Sequence, residues 1–123
     1  MGRVPGRGEL TRIYKILKRA EWEAARSAGA FGGTAIDLAD GYIHFSAADQ
    51  ARETARRHFA AQDDLLLLAV DAASLGTALR WEPSRDGALF PHLYAHLPTD
   101  LVVEVRAAPL GADGIPDLGP VAP

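Results

Sequence analysis

Gly41-Tyr42-Ile43-His44-Phe45-Ser46 runs straight into Ala47-Ala48-Asp49-Gln50, and the change of period at that junction sets the fold class. Alternation in the first piece puts Ile43 and Phe45 on one face and Tyr42, His44 and Ser46 on the other. Ser46-Ala47-Ala48-Asp49 then reads as a capping box that opens a helix reaching about Gln62. Along it Ala51, Ala55 and Phe59 recur at the spacing of a buried stripe. Glu53 and Arg57 sit four apart, the spacing of an exposed ion pair. A strand that buries its apolar face while lining up a phenol, an imidazole and a hydroxyl opposite has the make-up of a cleft wall. Two further segments are alike in kind: Arg80-Trp81-Glu82 and Phe90-Pro91-His92-Leu93-Tyr94.

Working outward, residues 1–11 are rich in glycine and arginine without a period, and read as a flexible leader. Ile13 to Leu17 is a first strand. Arg19 to Ala28 favours a helix through Glu21, Glu23, Ala24 and Ala25, with Gly29 as its stop. Phe31 to Asp40 reads as a glycine-containing connection, and Asp40-Gly41 as a turn. Beyond the central helix, the unbroken run Leu65 to Val70 suits a strand covered on both faces. Asp71 to Ala78 is a turn or short helical piece. Leu79–Glu82, Leu89–Tyr94 and Leu101–Ala107 supply the remaining strands, and residues 108–123 read as a proline- and glycine-rich tail, extended or mobile. The order predicts an α+β fold: one globular domain over residues 12–107, with a mixed, mostly antiparallel sheet and two main helices.

A chain of 123 residues with 48% hydrophobic and 24% charged content can bury a core without staples. Cysteine is absent, which excludes disulfides, thiolate nucleophiles and cysteine zinc sites and points to a cytoplasmic protein. The longest apolar run is too short to span a bilayer, and no charged-then-apolar leader is present, so neither membrane association nor a signal peptide is expected. A formal charge of −3 argues against a dedicated nucleic-acid binder. Residues 1–20 are locally basic, which leaves affinity for a single phosphate open.

His44 suits a hydrogen-bonding or acid–base group at a strand end, against the plainer reading of a surface histidine. Ser46 has a sufficient reason to be serine as a helix cap. If extended, Phe90, His92 and Tyr94 share a side, with Pro91 fixing the chain geometry. Arg80 and Glu82 likewise share a face; Glu82 could stabilise a positive charge, bind hydroxyls or simply pair with Arg80 or Arg85. Glu104 is a charge within an apolar strand, a site acid or the outward residue of an edge strand. His92 and His96 are four apart, but Pro91 and Pro98 speak against the helix such a metal pair needs, so no metal is expected. Phosphate-loop and nucleophile-elbow motifs are missing.

Taken in order, Ile13-Tyr14-Lys15-Ile16, Gly41 to Ser46, Gln50, the strand from Asp64 to Asp71, Arg80-Trp81-Glu82 and Phe90 to Tyr94 resemble the bacterial domain-of-unknown-function family 952, over residues 12–106. That family is itself similar to the ADP-ribosyltransferase group, which holds NAD in a cleft of a split antiparallel sheet. The resemblance implies NAD as the substrate nucleotide. It makes His44, with Ser46, a ribose contact and Tyr14, Tyr42 or Tyr94 stacking partners. Arg80 joins the binding set; His44, His92 and a glutamate, Glu82 or Glu104, would carry catalysis. Cleavage at the anomeric carbon passes through an oxocarbenium-like state that a carboxylate stabilises. Two other readings use the same cleft: a binding module without chemistry, and an RNA 2′-phosphate-handling relative, which the acidic balance disfavours.

Overall fold

The structure is a computed structural model that describes residues 11–84 and 87–123. The leader thus lies outside the described residues except for Thr11, which is buried. The elements are β1 (Arg12–Lys18), α1 (Arg19–Ala28), β2 (Ala30–Phe31), α2 (Ala35–Asp40), β3 (Ile43–His44), β4 (Ser46–Ala47), α3 (Ala51–His58), β5 (Leu65–Asp71), a 3-10 segment (Ala72–Ala78), β6 (Leu79–Pro83), β7 (Leu89–Leu93), β8 (Leu97–Pro98) and β9 (Val102–Ala108). All strand pairings are antiparallel.

The fold is α+β, but among the described residues the strands form three sheets rather than one. A four-stranded sheet runs β4-β1-β5-β9, a three-stranded sheet runs β3-β7-β6, and β2 pairs with β8. The central strand β5 explains the arrangement. Leu65 to Val70 are all at most 3% exposed, because alternate side chains enter two different cores. Leu66, Leu68 and Val70 meet Ile13, Leu17, Trp22 and Ala25 on one face, where Ile43, Leu93 and Trp81 of the small sheet also pack. Leu65, Leu67 and Ala69 meet Tyr14, Ile16, Ala51 and Ala55 on the other.

Of residues 108–123, expected as a tail outside the domain, Ala108 closes β9 and the rest lie along this second face. Leu118 is 2% exposed in that core, with Ile115 and Val121 packed beside it. The Tyr14 hydroxyl donates to the carbonyl of Ala122, and Arg106 donates to that of Pro120. Apolar area left open on β1 and β5 by the short α3 is what this segment covers.

Helices also depart from the reading. The central helix spans Ala51–His58 only, and Ser46 is not its cap: it sits in β4, its hydroxyl 2.8 Å from Thr54 Oγ1. Gln50 does the turn's work, its side-chain oxygen accepting from the N–H of Ala47 at 2.9 Å. A third helix, α2, occupies part of the expected connection. Thr34 and Asp37 form its capping box: the N–H of Thr34 donates to Asp37 Oδ2 (2.9 Å) and the N–H of Asp37 to Thr34 Oγ1 (3.3 Å). Gly41, at φ +88°, ends it in the left-handed region open to glycine. No helix among the described residues is long and apolar enough to cross a membrane.

Candidate functional site

The small sheet builds the site by register. β3 pairs with β7 so that Ile43 faces Leu93 and His44 faces His92. β6 pairs with β7 so that Arg80 faces His92 and Glu82 faces Phe90. Directly opposite residues in an antiparallel pair point to the same side, with Cβ atoms about 5 Å apart. The odd-numbered partners therefore turn into the core, while Arg80, His92 and His44 form a row across three strands. Tyr42 and Tyr94 flank that row one step on.

The rings touch. Tyr42 stacks on His92 with centroids 4.0 Å apart and planes 26° from parallel. It also meets His44 at 4.6 Å and Tyr94 at 5.3 Å. His44 and His92 stand edge to face at 5.7 Å. The Arg80 guanidinium lies 4.7 Å above the Tyr94 ring, a cation over a π face.

Each histidine is aimed by carboxylates. His92 Nδ1 lies 2.8 Å from Glu82 Oε1, to which the Tyr94 hydroxyl also donates at 2.7 Å. Hydrogen bonds from Tyr94 and then His92 hold the Glu82 carboxyl below the usual carboxylate range. The same bond pushes the Tyr94 phenol up, because losing its proton would place two negative charges together. Burial first, then the charges of Asp40 and Glu82, push the Tyr42 phenol up as well.

His44 contacts acids at both ends: Nδ1 is 2.6 Å from Asp37 Oδ1 and Nε2 is 2.9 Å from Asp40 Oδ2. Both ring nitrogens are thus taken up by carboxylates, which fixes the plane of the imidazole. Asp37 anchors the assembly. It is 2% exposed and accepts from the backbone N–H groups of Thr34 and His44 as well as the His44 ring. The ammonium of Lys15, also buried, lies 3.1 Å from Asp37 Oδ2 and donates to the carbonyl of His44 at 2.9 Å. Burial works against the Asp37 charge, but the His44 hydrogen bond, the Lys15 charge and the two backbone donors outweigh it and keep the carboxyl well below its ordinary value. Burial likewise pushes the Lys15 ammonium down, and Asp37 opposes that shift.

Of the residues singled out from the sequence, the fold brings His44, His92, Glu82, Tyr42, Tyr94 and Arg80 together. Tyr14 and Ser46 stand elsewhere: they are paired on β1 and β4, with Tyr14 in the second core. Glu104 lies on β9, 3.3 Å from Arg12. His92 is 3% exposed beneath Tyr42, whereas the side chains of His44 and Glu82 are about a third open and Tyr94 is 40% exposed. Asp37, Lys15 and Asp40 were not foreseen. The signal for Asp37 was the box Thr34-Ala35-Ile36-Asp37, four residues ahead of Gly41.

A cavity of about 630 Å³ opens at a different place, between α3 and the C-terminal segment, lined in part by Arg52, Arg56, Asp113 and Ile115. Its cations are already engaged, Arg56 by Glu53 and Arg52 by the carbonyl of Gly119. The ring cluster, with an exposed carboxylate and exposed aromatic faces, is the better candidate. Among the described residues, no group of three or more histidine and acidic side chains is placed to hold a metal ion.

A protein-family model described as a protein of unknown function, DUF952, matches residues 16–105. Protein CC0527 from Caulobacter crescentus is similar in sequence and structure. Its crystal structure is 55% identical with a TM-score of 0.85, covering 87% of this chain and 94% of that one. Its solution NMR structure gives 55% identity and a TM-score of 0.78, covering 85% and 90%. No curated protein matches the chain.

Proposed function

The chain belongs to the DUF952 family of unknown function, and from that premise we propose that the ring cluster on the small sheet is a ligand site for a nucleotide of the NAD type. The observation that carries the reading is the cross-strand row Arg80–His92–His44, flanked by Tyr42 and Tyr94 and backed by Glu82. Three chemistries meet there. Tyr94 and the outer face of Tyr42 offer π surfaces for a base or nicotinamide ring. The Glu82 carboxylate receives both of its donors on Oε1, leaving Oε2 to accept ribose hydroxyls. Arg80 supplies positive charge for a phosphate.

Roles within the site divide by exposure. His44 and Glu82 face the ligand. His92, covered by Tyr42, is a positioning residue that fixes Glu82 and the Tyr42 ring. If the site performs chemistry, Glu82 stabilises the positive charge that develops at the anomeric carbon as the bond to the leaving group breaks. The outer His44 nitrogen, Nε2, exchanges its Asp40 partner for an oxygen of the ligand.

A second reading, a binding module without turnover, is favoured by one observation: both histidines and both phenols are already held in a closed hydrogen-bond and stacking network. Calorimetry with NAD, ADP-ribose and AMP, followed by analysis of the recovered nucleotide, separates the two. Binding with release of nicotinamide supports an enzyme; binding with intact nucleotide supports the module. A ligand at 100 times its dissociation constant adds about 2.7 kcal/mol of stability. No binding of any of the three nucleotides, or binding unchanged in Glu82→Gln and Tyr94→Ala, would overturn the proposal.

A further inference from the structure

From the free edge of the four-stranded sheet we infer that β9 is a self-association edge, at which two copies of the chain join antiparallel through Val102–Ala108. β9 pairs only with β5, so its outer backbone groups meet no strand among the described residues. The strand is seven residues long, and Val103 and Val105 are 48% and 42% exposed. It lacks the lysine or proline with which single-chain proteins blunt such an edge. Its only irregularity is a register shift opposite Ala69 and Val70, near the strand's start, which leaves Glu104 to Ala108 regular.

The charge pattern selects the register. A two-fold axis perpendicular to the sheet keeps each face continuous, so residues of like parity must oppose one another. Three central registers satisfy this. Centring on Glu104 sets two carboxylates face to face, and centring on Arg106 does the same for two guanidinium groups; like charges directly opposite destabilise a pair. Centring on Val105 instead sets Glu104 of each copy opposite Arg106 of the other. The same register places Val105 against its symmetry mate, covering the exposed valine in the regular part of the strand. Within one chain Glu104 also meets Arg12 at 3.3 Å and Arg106 donates to the carbonyl of Pro120, while the two side chains stand 3.4 Å from each other, so the cross-copy pairs form beside these contacts. The product is one continuous eight-stranded sheet. A single strand pair buries far less than the ~1,600 Å² of a standard interface, so the association is weak and concentration-dependent.

Sedimentation equilibrium of the full chain across the micromolar-to-millimolar range tests this. Expected is a monomer–dimer equilibrium that Val105→Lys abolishes. Glu104→Arg alone weakens it at least tenfold, and Glu104→Arg with Arg106→Glu restores it, because the swap rebuilds the cross-copy pairs; melting curves confirm that each variant is folded. A wild type that stays monomeric throughout would overturn the inference. Slow exchange of the outward β9 amides in that monomer would give the edge to another occupant. A dimer unaffected by Val105→Lys, or a double swap no better than the single one, would overturn it too.

Discussion

Asp37→Asn removes one charge and almost no volume, and it strikes the group on which the site's geometry rests. Asp37 is 2% exposed, with the Lys15 ammonium 3.1 Å away and the His44 ring at 2.6 Å. Asparagine leaves the Lys15 charge buried without a counter-ion and turns a pure acceptor into a group with two unwanted donors. Breaking one side of a buried pair costs about 3–5 kcal/mol, equivalent to a melting point roughly 10–20 °C lower for a domain of this size. Urea denaturation at pH 7 reads the loss directly. Adding Lys15→Met removes the stranded charge, so the double variant should be more stable than Asp37→Asn alone. The pH dependence gives an independent check. The folded carboxyl sits below its ordinary value, while an unfolded aspartate titrates near pH ~3.9. The stabilisation is therefore complete above about pH 4 and is lost as pH falls from there toward the folded value. Wild type should lose its advantage over Asp37→Asn across that acid range. A loss under about 1 kcal/mol at pH 7, the scale of an exposed pair, or an advantage unchanged by acid, would refute the reasoning.

Other substitutions probe separate parts of the fold. Leu118→Ala should cost about 2–5 kcal/mol in denaturant melts, the loss for a buried leucine; no change would mean the C-terminal segment does not cover the second core. Gly33 has φ +117°, and a Cβ there would come 2.9 Å from Cβ of Asp37. Gly33→Ala should therefore lower the melting point by the equivalent of about 1–3 kcal/mol. Ser46→Ala should cost only about 1 kcal/mol, one hydrogen bond to Thr54, and leave nucleotide affinity unmoved in calorimetry. Tyr42→Ala should weaken nucleotide binding and, by uncovering His92, also make the imidazole reactive toward diethyl pyrocarbonate.

Much of the site was legible because β periodicity is strict. Once Tyr42-Ile43-His44 and His92-Leu93-Tyr94 are both extended, parity alone sends the two histidines and two tyrosines to the faces opposite Ile43 and Leu93. The antiparallel pairing of β3 with β7 that makes those faces one was not visible locally. Likewise Leu65 to Val70 announced a strand buried on both sides without saying what buries it. The C-terminal segment was misjudged because Pro and Gly report backbone freedom, whereas its docking depends on Leu118, Ile115 and Val121 finding an apolar face that only the folded sheet presents. Ser46 failed as a cap for a related reason. The chain needed two more residues of β4 to pair with β1, so the helix starts at Ala51 and the hydroxyl turned to Thr54. Nothing around Lys15 in the sequence names its partner, which lies 22 residues on, in a helix that the glycines around it disguised.

The central claim is that one face of the β3-β7-β6 sheet receives a nucleotide. A two-dimensional NMR titration with ADP-ribose, following the rings of Tyr42, His44, His92 and Tyr94, tests it most directly. Expected are saturable shifts concentrated on those rings and on the backbone of Arg80 and Glu82, with the resonances of Tyr14 and Ser46 unmoved. Saturation that leaves the four rings silent, or shifts centred on Arg52 and Ile115 at the other cavity, would contradict it.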